Sequence, residues 1–141
     1  MSIKFHPQIG TIVICDYNTG FRSPEMVKRR PAIIVSPRFR SRPSLCSIVP
    51  LSTTPPTPPM PYHYKLMMDT PLPRPYHSMV QWVKADMITT IAFDRLNLPF
   101  NGKDANGRRI YEERVIEKND LAEIRKCILS ALGMNFLTEY V

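Results

Sequence analysis

Glycine is scarce, five residues in 141, and the signatures that depend on it are missing with it. There is no P-loop, no Gly-rich dinucleotide turn and no Gly-x-Ser-x-Gly nucleophile elbow. Cysteine is rarer still. Cys15, Cys46 and Cys127 are odd in number, widely spaced and each set in an apolar stretch, a pattern that suggests neither a disulfide framework nor a Cys-x-x-Cys metal site and fits a reducing cytosol. His6, His63 and His77 have no metal-ligand spacing and read as residues of polar loops. No apolar run nears the roughly 18 residues needed to span a bilayer, and the opening MSIKFHPQIG has no apolar signal-peptide centre. The expectation is a cytoplasmic protein with no membrane partner. Acidic residues are also few: 12 Asp and Glu stand against 19 Lys and Arg, a net charge of +7. A polyanion is therefore the first partner to consider, with a solvated basic surface as the plain alternative.

Proline and β-branched residues are abundant instead. GTIVICDY (10–17), PAIIVSP (31–37) and LCSIVPLS (45–52) are strand-length runs bounded by Gly, Pro and Ser. The first two are separated by a polar loop, 18–30, long enough to suspect a task. TTPPTPPMP is a stiff, partly polyproline connection. YHYKLMMD (62–69) alternates as a strand, and MVQWVKADMITTIAF (79–93) predicts strands on either side of a central Lys-Ala-Asp. Asn106 and Gly107 form a tight-turn signal, with RRIYEERVI returning as a strand. Asp120 and Glu123 have the spacing of a capping box, and Leu121, Ile124, Ile128, Ala131 and Leu132 share a helical face that ends at Gly133. The chain is expected to be one domain over 1–141, mainly β with a C-terminal helix, and built as a small, strongly bent barrel.

KRRPAIIVSP (28–37) sets a guanidinium at the mouth of a buried strand, where a charge is costly to desolvate unless something binds it. Glu25 lies five residues before Arg30 and either aims it by a charge-assisted bond or is a solvated loop acid. Ser52, Thr53 and Thr54 follow the third strand and either meet a phosphate or form an ordinary turn. Lys84 and Asp86, two apart, share a face if extended. So do Arg38, Arg40 and Arg42, with Phe39 interleaved, a pattern suited to a phosphate backbone or to a charged, non-aggregating edge. With Arg22, Lys28 and Arg29 they form the candidate RNA-binding set.

GTIVICDY, the Arg-Pro before AIIVSP, and SIVPLSTT together resemble the MazF/PemK family of toxin ribonucleases, and WVKADMITTI (82–91) resembles that family's later Val-x-x-Asp-x-x-x-Thr-Ile element. PEMVKRRP, MPYH and WVKADMI resemble its PemK-like branch. The resemblance implies an SH3-like β-barrel, a homodimer, that cuts single-stranded mRNA without metal or other cofactor and is restrained by a cognate antitoxin protein. The substrate's 2′-hydroxyl attacks phosphorus in that mechanism, leaving a 2′,3′-cyclic phosphate and a 5′-hydroxyl. By position, Arg30 matches the active-site arginine, Ser52 the hydroxyl residue and Asp86 the acid. Ser52 stands where Thr is frequent, and Lys84 where the PemK-like branch has arginine. Arg30, always charged, suits a clamp on the phosphorane oxygens. Asp86 suits the proton acceptor, a role that asks for burial of its carboxyl, and Lys84 the donor to the leaving oxygen. Ser52, helped by Thr53, would donate to a non-bridging oxygen. Related barrels in CcdB-like toxins bind DNA gyrase and cut nothing, and an inactive basic RNA-binding barrel is a further alternative. The segment 101–116 carries no part of the resemblance.

Overall fold

The β-branched runs fold as strands because both of their faces are covered. The computed structural model describes residues 2–141. In chain order it comprises β1 (Ile12–Asp16), β2 (Arg29–Ile34), β3 (Leu45–Ser52), β4 (His63–Met67), β5 (Val80–Lys84), β6 (Thr89–Ala92), β7 (Leu96–Asn97), β8 (Phe100–Lys103), β9 (Arg109–Tyr111) and helix α1 (Lys118–Ala131). Ile12, Val13, Ile14 and Cys15 are all buried in succession. Such runs lose the alternation of a half-exposed strand because the sheet is packed on two sides. Ile12, Ile33, Val49, Leu51, Leu66 and Val83 form one core with Ile124 and Cys127 of α1. Val13, Cys15, Tyr17, Ala32, Ile34 and Ile48 form the other, closed by Ile91 and Leu96.

β3 organises the sheet. Its first half, Leu45 to Ile48, pairs antiparallel with β6, Ile48 to Pro50 pair with β2, and its last two residues pair with β5. Pro50 lies just before the change of partner, where a missing N–H is tolerated. The strand order is β4-β5-β3-β2-β1-β7, with β6 also on β3. The end strands β4 and β7 are not hydrogen-bonded to each other, so the predicted bent barrel is present as a sharply curved sheet whose strand ring stays open. β8 and β9 form a separate hairpin, turned at Asn106–Gly107 with Gly107 at φ +77°, the left-handed conformation that favours glycine.

The helix departs from expectation at its start. It begins at Lys118 after Glu117, and no side chain caps it. The Asp120 carboxylate, predicted to cap, accepts a 2.6 Å hydrogen bond from the Tyr64 hydroxyl instead. This long-range bond ties α1 to β4 and, with burial, raises the Tyr64 phenol above its ordinary value. The end matches expectation. Gly133 at φ +74° lets Met134 N–H reach the Leu129 carbonyl and Gly133 N–H that of Ser130, the paired bonds of a Schellman stop. Leu132, placed on the apolar face by spacing, is exposed, while Cys127 takes a core position.

All three thiols are free and buried. Burial pushes Cys15 up to about 12 and Cys46 and Cys127 up to about 11, so the reactive thiolate is nearly absent at neutral pH. Titration with a chromogenic disulfide reagent is expected to find almost no reactive thiol in the native protein and all three cysteines after denaturation. Rapid labelling of the native protein would refute this picture of the core.

Candidate active site

Arg30 stands where β2 emerges from the second core. It pairs across to Cys15, and Arg29 pairs to Asp16, so the two arginines leave the strand on opposite faces. Arg29 takes the face of the first core, where it lies 3.6 Å from the Asp16 carboxylate. Arg30 takes the face of Tyr17. Its Nε donates a 3.0 Å hydrogen bond to the Val27 carbonyl, which fixes the plane of the fork. Its two amino groups bond to nothing among the described residues. Near it the Tyr17 hydroxyl is buried, with the Cys15 thiol as its polar neighbour. Burial raises that phenol strongly, and the neighbouring Arg30 charge opposes the rise.

Ser52 ends β3 and is buried. β2 and β3 pair Ile34 with Ile48 and Ala32 with Pro50. By alternation Ser52 falls on the same face of β3 as Pro50 and Ile48, the face that Arg30 takes on β2, although β3 has by then taken β5 as its partner. The Ser52 Oγ accepts the Thr54 N–H at 3.1 Å, a local turn bond that leaves the hydroxyl proton free to donate. Thr53 is exposed beside it. The turn reading of this stretch is realised by that bond.

Across β5, Ser52 faces Trp82, and Lys84 is the next side chain on that face. Lys84 in turn lies opposite His63 of β4. Asp86 follows in a short 3-10 turn, Ala85–Met87. It is exposed, so the burial asked of a carboxyl base is not provided, a departure from expectation that follows from this turn projecting outward. His63 belongs to the same group of charges. Its pKa is lowered from the usual 6.5, first by desolvation and also by Lys84, with Asp86 acting against them. The His63 Nδ1 accepts the Met60 N–H at 3.0 Å, which in the neutral ring leaves the proton on Nε2. Sequence reasoning assigned this histidine to a polar loop. The alternation of YHYKLMMD nevertheless predicts a strand through it, and the register that sets it against Lys84 has no local signal.

Other expected groupings do not form. The Glu25 carboxylate accepts the Arg22 N–H at 2.9 Å and closes its own loop, while a backbone carbonyl aims Arg30. Arg38, Arg40 and Arg42 lie in a bent loop rather than a strand, with Arg42 N–H bonded to the Phe39 carbonyl. They still gather around one cleft, with Lys4, Phe39 and Phe93. That cleft lies beyond the far end of β2, past Ile34, and Arg30 is not part of it. Arg22, Lys28 and Arg29 are exposed at the Arg30 end. Among the described residues, no three His, Cys, Asp or Glu side chains are grouped to hold a metal ion.

Comparison with known proteins places the fold and the family. An endoribonuclease from a Mycobacterial species, solved in complex with its cognate antitoxin, superposes with a TM-score of 0.61 at 21% identity, over 92% of this chain and 97% of its own. MazF from Deinococcus radiodurans superposes with a TM-score of 0.59 at 22% identity, over 91% and 97%. At this identity the likeness is one of fold, the mainly β, SH3-like class with a closing helix. The Escherichia coli (strain K12) protein YifN is 22% identical over 151 residues, covering 94% of this chain and 96% of its own. The model of the PemK-like, MazF-like toxins matches residues 8–132, which takes in every strand, α1 and the whole Arg30 site. This chain belongs to the PemK-like, MazF-like toxin family of type II toxin-antitoxin systems.

Proposed function

We propose that this chain is an endoribonuclease toxin that cuts single-stranded RNA, mRNA included, by in-line attack of the substrate's own 2′-hydroxyl. The observation that carries the reading is the free fork of Arg30, aimed by the Val27 carbonyl at the mouth of the core. In the reaction the 2′-oxygen forms a bond to phosphorus as the bond to the 5′-oxygen breaks. Negative charge grows on the non-bridging oxygens, where a preorganised guanidinium and a hydroxyl donor are worth several kcal/mol. Asp86 accepts the 2′-hydroxyl proton from its exposed turn, without burial to strengthen it as a base. Lys84 returns one to the departing 5′-oxygen, so the products are a 2′,3′-cyclic phosphate and a 5′-hydroxyl. His63 lies opposite Lys84 on the neighbouring strand and feels the charges of both Lys84 and Asp86. No metal ion is needed, because Arg30 and Lys84 supply the positive charge.

The same reading makes the working form a homodimer and the restraining partner a cognate antitoxin protein, as with the antitoxin-bound Mycobacterial endoribonuclease. Cytosolic RNA is the substrate, and no helix among the described residues is long and apolar enough to cross a membrane.

The deciding experiment maps the ends of RNA fragments made by the purified protein with excess EDTA present. Cyclic phosphate opposite 5′-hydroxyl is the expected result, and a substrate with deoxyribose at the cut should resist. Intact RNA together with trapped DNA breaks would instead identify a gyrase-binding toxin. Intact RNA and intact DNA with tight RNA binding would leave a binding barrel.

A further inference from the structure

A cavity of about 390 Å³ opens on the side of β2 opposite Arg30. Arg29, Arg74 and Arg109 line it together with the rings of Tyr76, Phe100 and Tyr111, and the lining includes prolines but no carboxylate. It is built where two irregular segments meet: the proline-rich stretch after β4 and the β8–β9 hairpin, which carries no motif of the family resemblance. Arg114 clamps them, donating to the Thr70 and Pro71 carbonyls while pairing with Glu112. Its own carbonyl accepts Ile12 N–H at 2.8 Å, so the clamp is anchored to β1. The cavity therefore rests on the same strand pair that holds Arg30.

Its surfaces are flat as well as cationic. The Arg109 guanidinium lies 4.4 Å over the Phe100 ring, and Phe100 meets Tyr111 edge-on at 6.3 Å. Arg74 has no hydrogen-bond or ion-pair partner among the described residues. Planar guanidinium, aromatic rings and proline walls around a cleft of small-ligand size suit one planar heterocycle with an anionic group attached. An acidic peptide would need the charge alone, spread along a longer groove. Arg29 and Arg30 are consecutive residues, about 3.8 Å apart at Cα, on opposite faces at the start of β2. An RNA strand rounding that end passes from the Arg30 clamp to the cavity within a few nucleotides.

We propose that this cavity is a nucleotide subsite, which stacks one unpaired base of the substrate against the Phe100–Arg109 platform and holds its phosphate with Arg74 and Arg29. The site selects sequence on one side of the cut. This rests on the endoribonuclease reading, so the test measures binding and not cleavage. The probe is a short, fluorescently labelled random-sequence RNA with 2′-fluoro sugars, which cannot be cut by 2′-hydroxyl attack.

The full chain is expected to lose affinity by about fivefold or more in Phe100→Leu, which changes no charge, and by about tenfold or more in Arg74→Ala/Arg109→Ala. The control Lys118→Ala/Arg125→Ala, with two exposed cations of α1 removed, should cost only a few-fold through lost long-range attraction. Photocrosslinking of a 4-thiouridine-containing version should place adducts on Tyr76, Phe100 or Tyr111. Equal losses in the cavity and control variants, with crosslinks elsewhere, would overturn the proposal even if the protein proves a nuclease. Unchanged RNA affinity with weakened binding of an acidic peptide would overturn it too, assigning the cavity to a protein segment. Crosslinks in the cavity of a chain that cuts nothing would uphold the subsite and fail only the nuclease reading.

Discussion

Arg30→Ala is expected to lower the rate of single-stranded RNA cleavage by about 10²–10³-fold or more, the range seen when a donor to developing oxyanion charge is removed. The fold should survive. Arg30 keeps its place in β2 through backbone pairing with Cys15, and the side chain's own structural contribution is one hydrogen bond to the Val27 carbonyl, about 1 kcal/mol. Removing the half-buried charge also relieves its desolvation. Arg30→Lys should recover only a small part of the loss, because an ammonium keeps the charge but not the two-pronged planar fork. Initial rates on a defined oligonucleotide, set beside far-UV spectra and thermal midpoints, check both halves of the claim. Full activity in Arg30→Ala would remove the arginine from the reaction.

The elements behind this site are legible in the sequence wherever local chemistry decides them. Gly10, Pro31, Pro37 and Ser52 bound the buried runs, the Lys-Ala-Asp break separates β5 from β6, and Asn106–Gly107 turns a hairpin. What local chemistry does not decide is partnership. Asp120 looks like a capping residue until Tyr64, far away in the chain, takes its oxygen. Glu25 looks like a partner for Arg30 until its own loop brings the Arg22 amide closer. Arg38, Arg40 and Arg42 would share a face only in an extended strand, and their segment bends. β7, two residues long, is too short to carry a period of its own and exists because Leu96 and Asn97 complete the edge of β1. Arg30, Ser52 and Asp86 can be chosen by resemblance, but the pairing that sets the first two on one face is a property of the folded sheet. His63 and the cavity beside Arg29 arise from pairings that no short window contains.

Asp86→Asn is expected to lower turnover by about 10²–10⁴-fold, the usual worth of a positioned proton acceptor. Asparagine keeps the shape and can still accept a hydrogen bond, but it cannot take the 2′-hydroxyl proton. His63→Ala should cost less, on the order of tenfold, since the ring borders Lys84 across the strand pair without reacting. The pH profile separates the two roles. His63 in the folded protein has its pKa lowered from 6.5, chiefly by desolvation. Protonation would also set a second donor against the Met60 N–H that now bonds Nδ1. The midpoint of the ring therefore lies below 6.5, and any histidine limb in the wild-type rate should be centred below that pH. Imidazole ¹⁵N shifts should report a bare Nδ1 and a protonated Nε2 above the midpoint. A limb centred at or above 6.5 that disappears in His63→Ala, with Asp86→Asn still active, would transfer the proton-accepting role from the carboxylate to the imidazole.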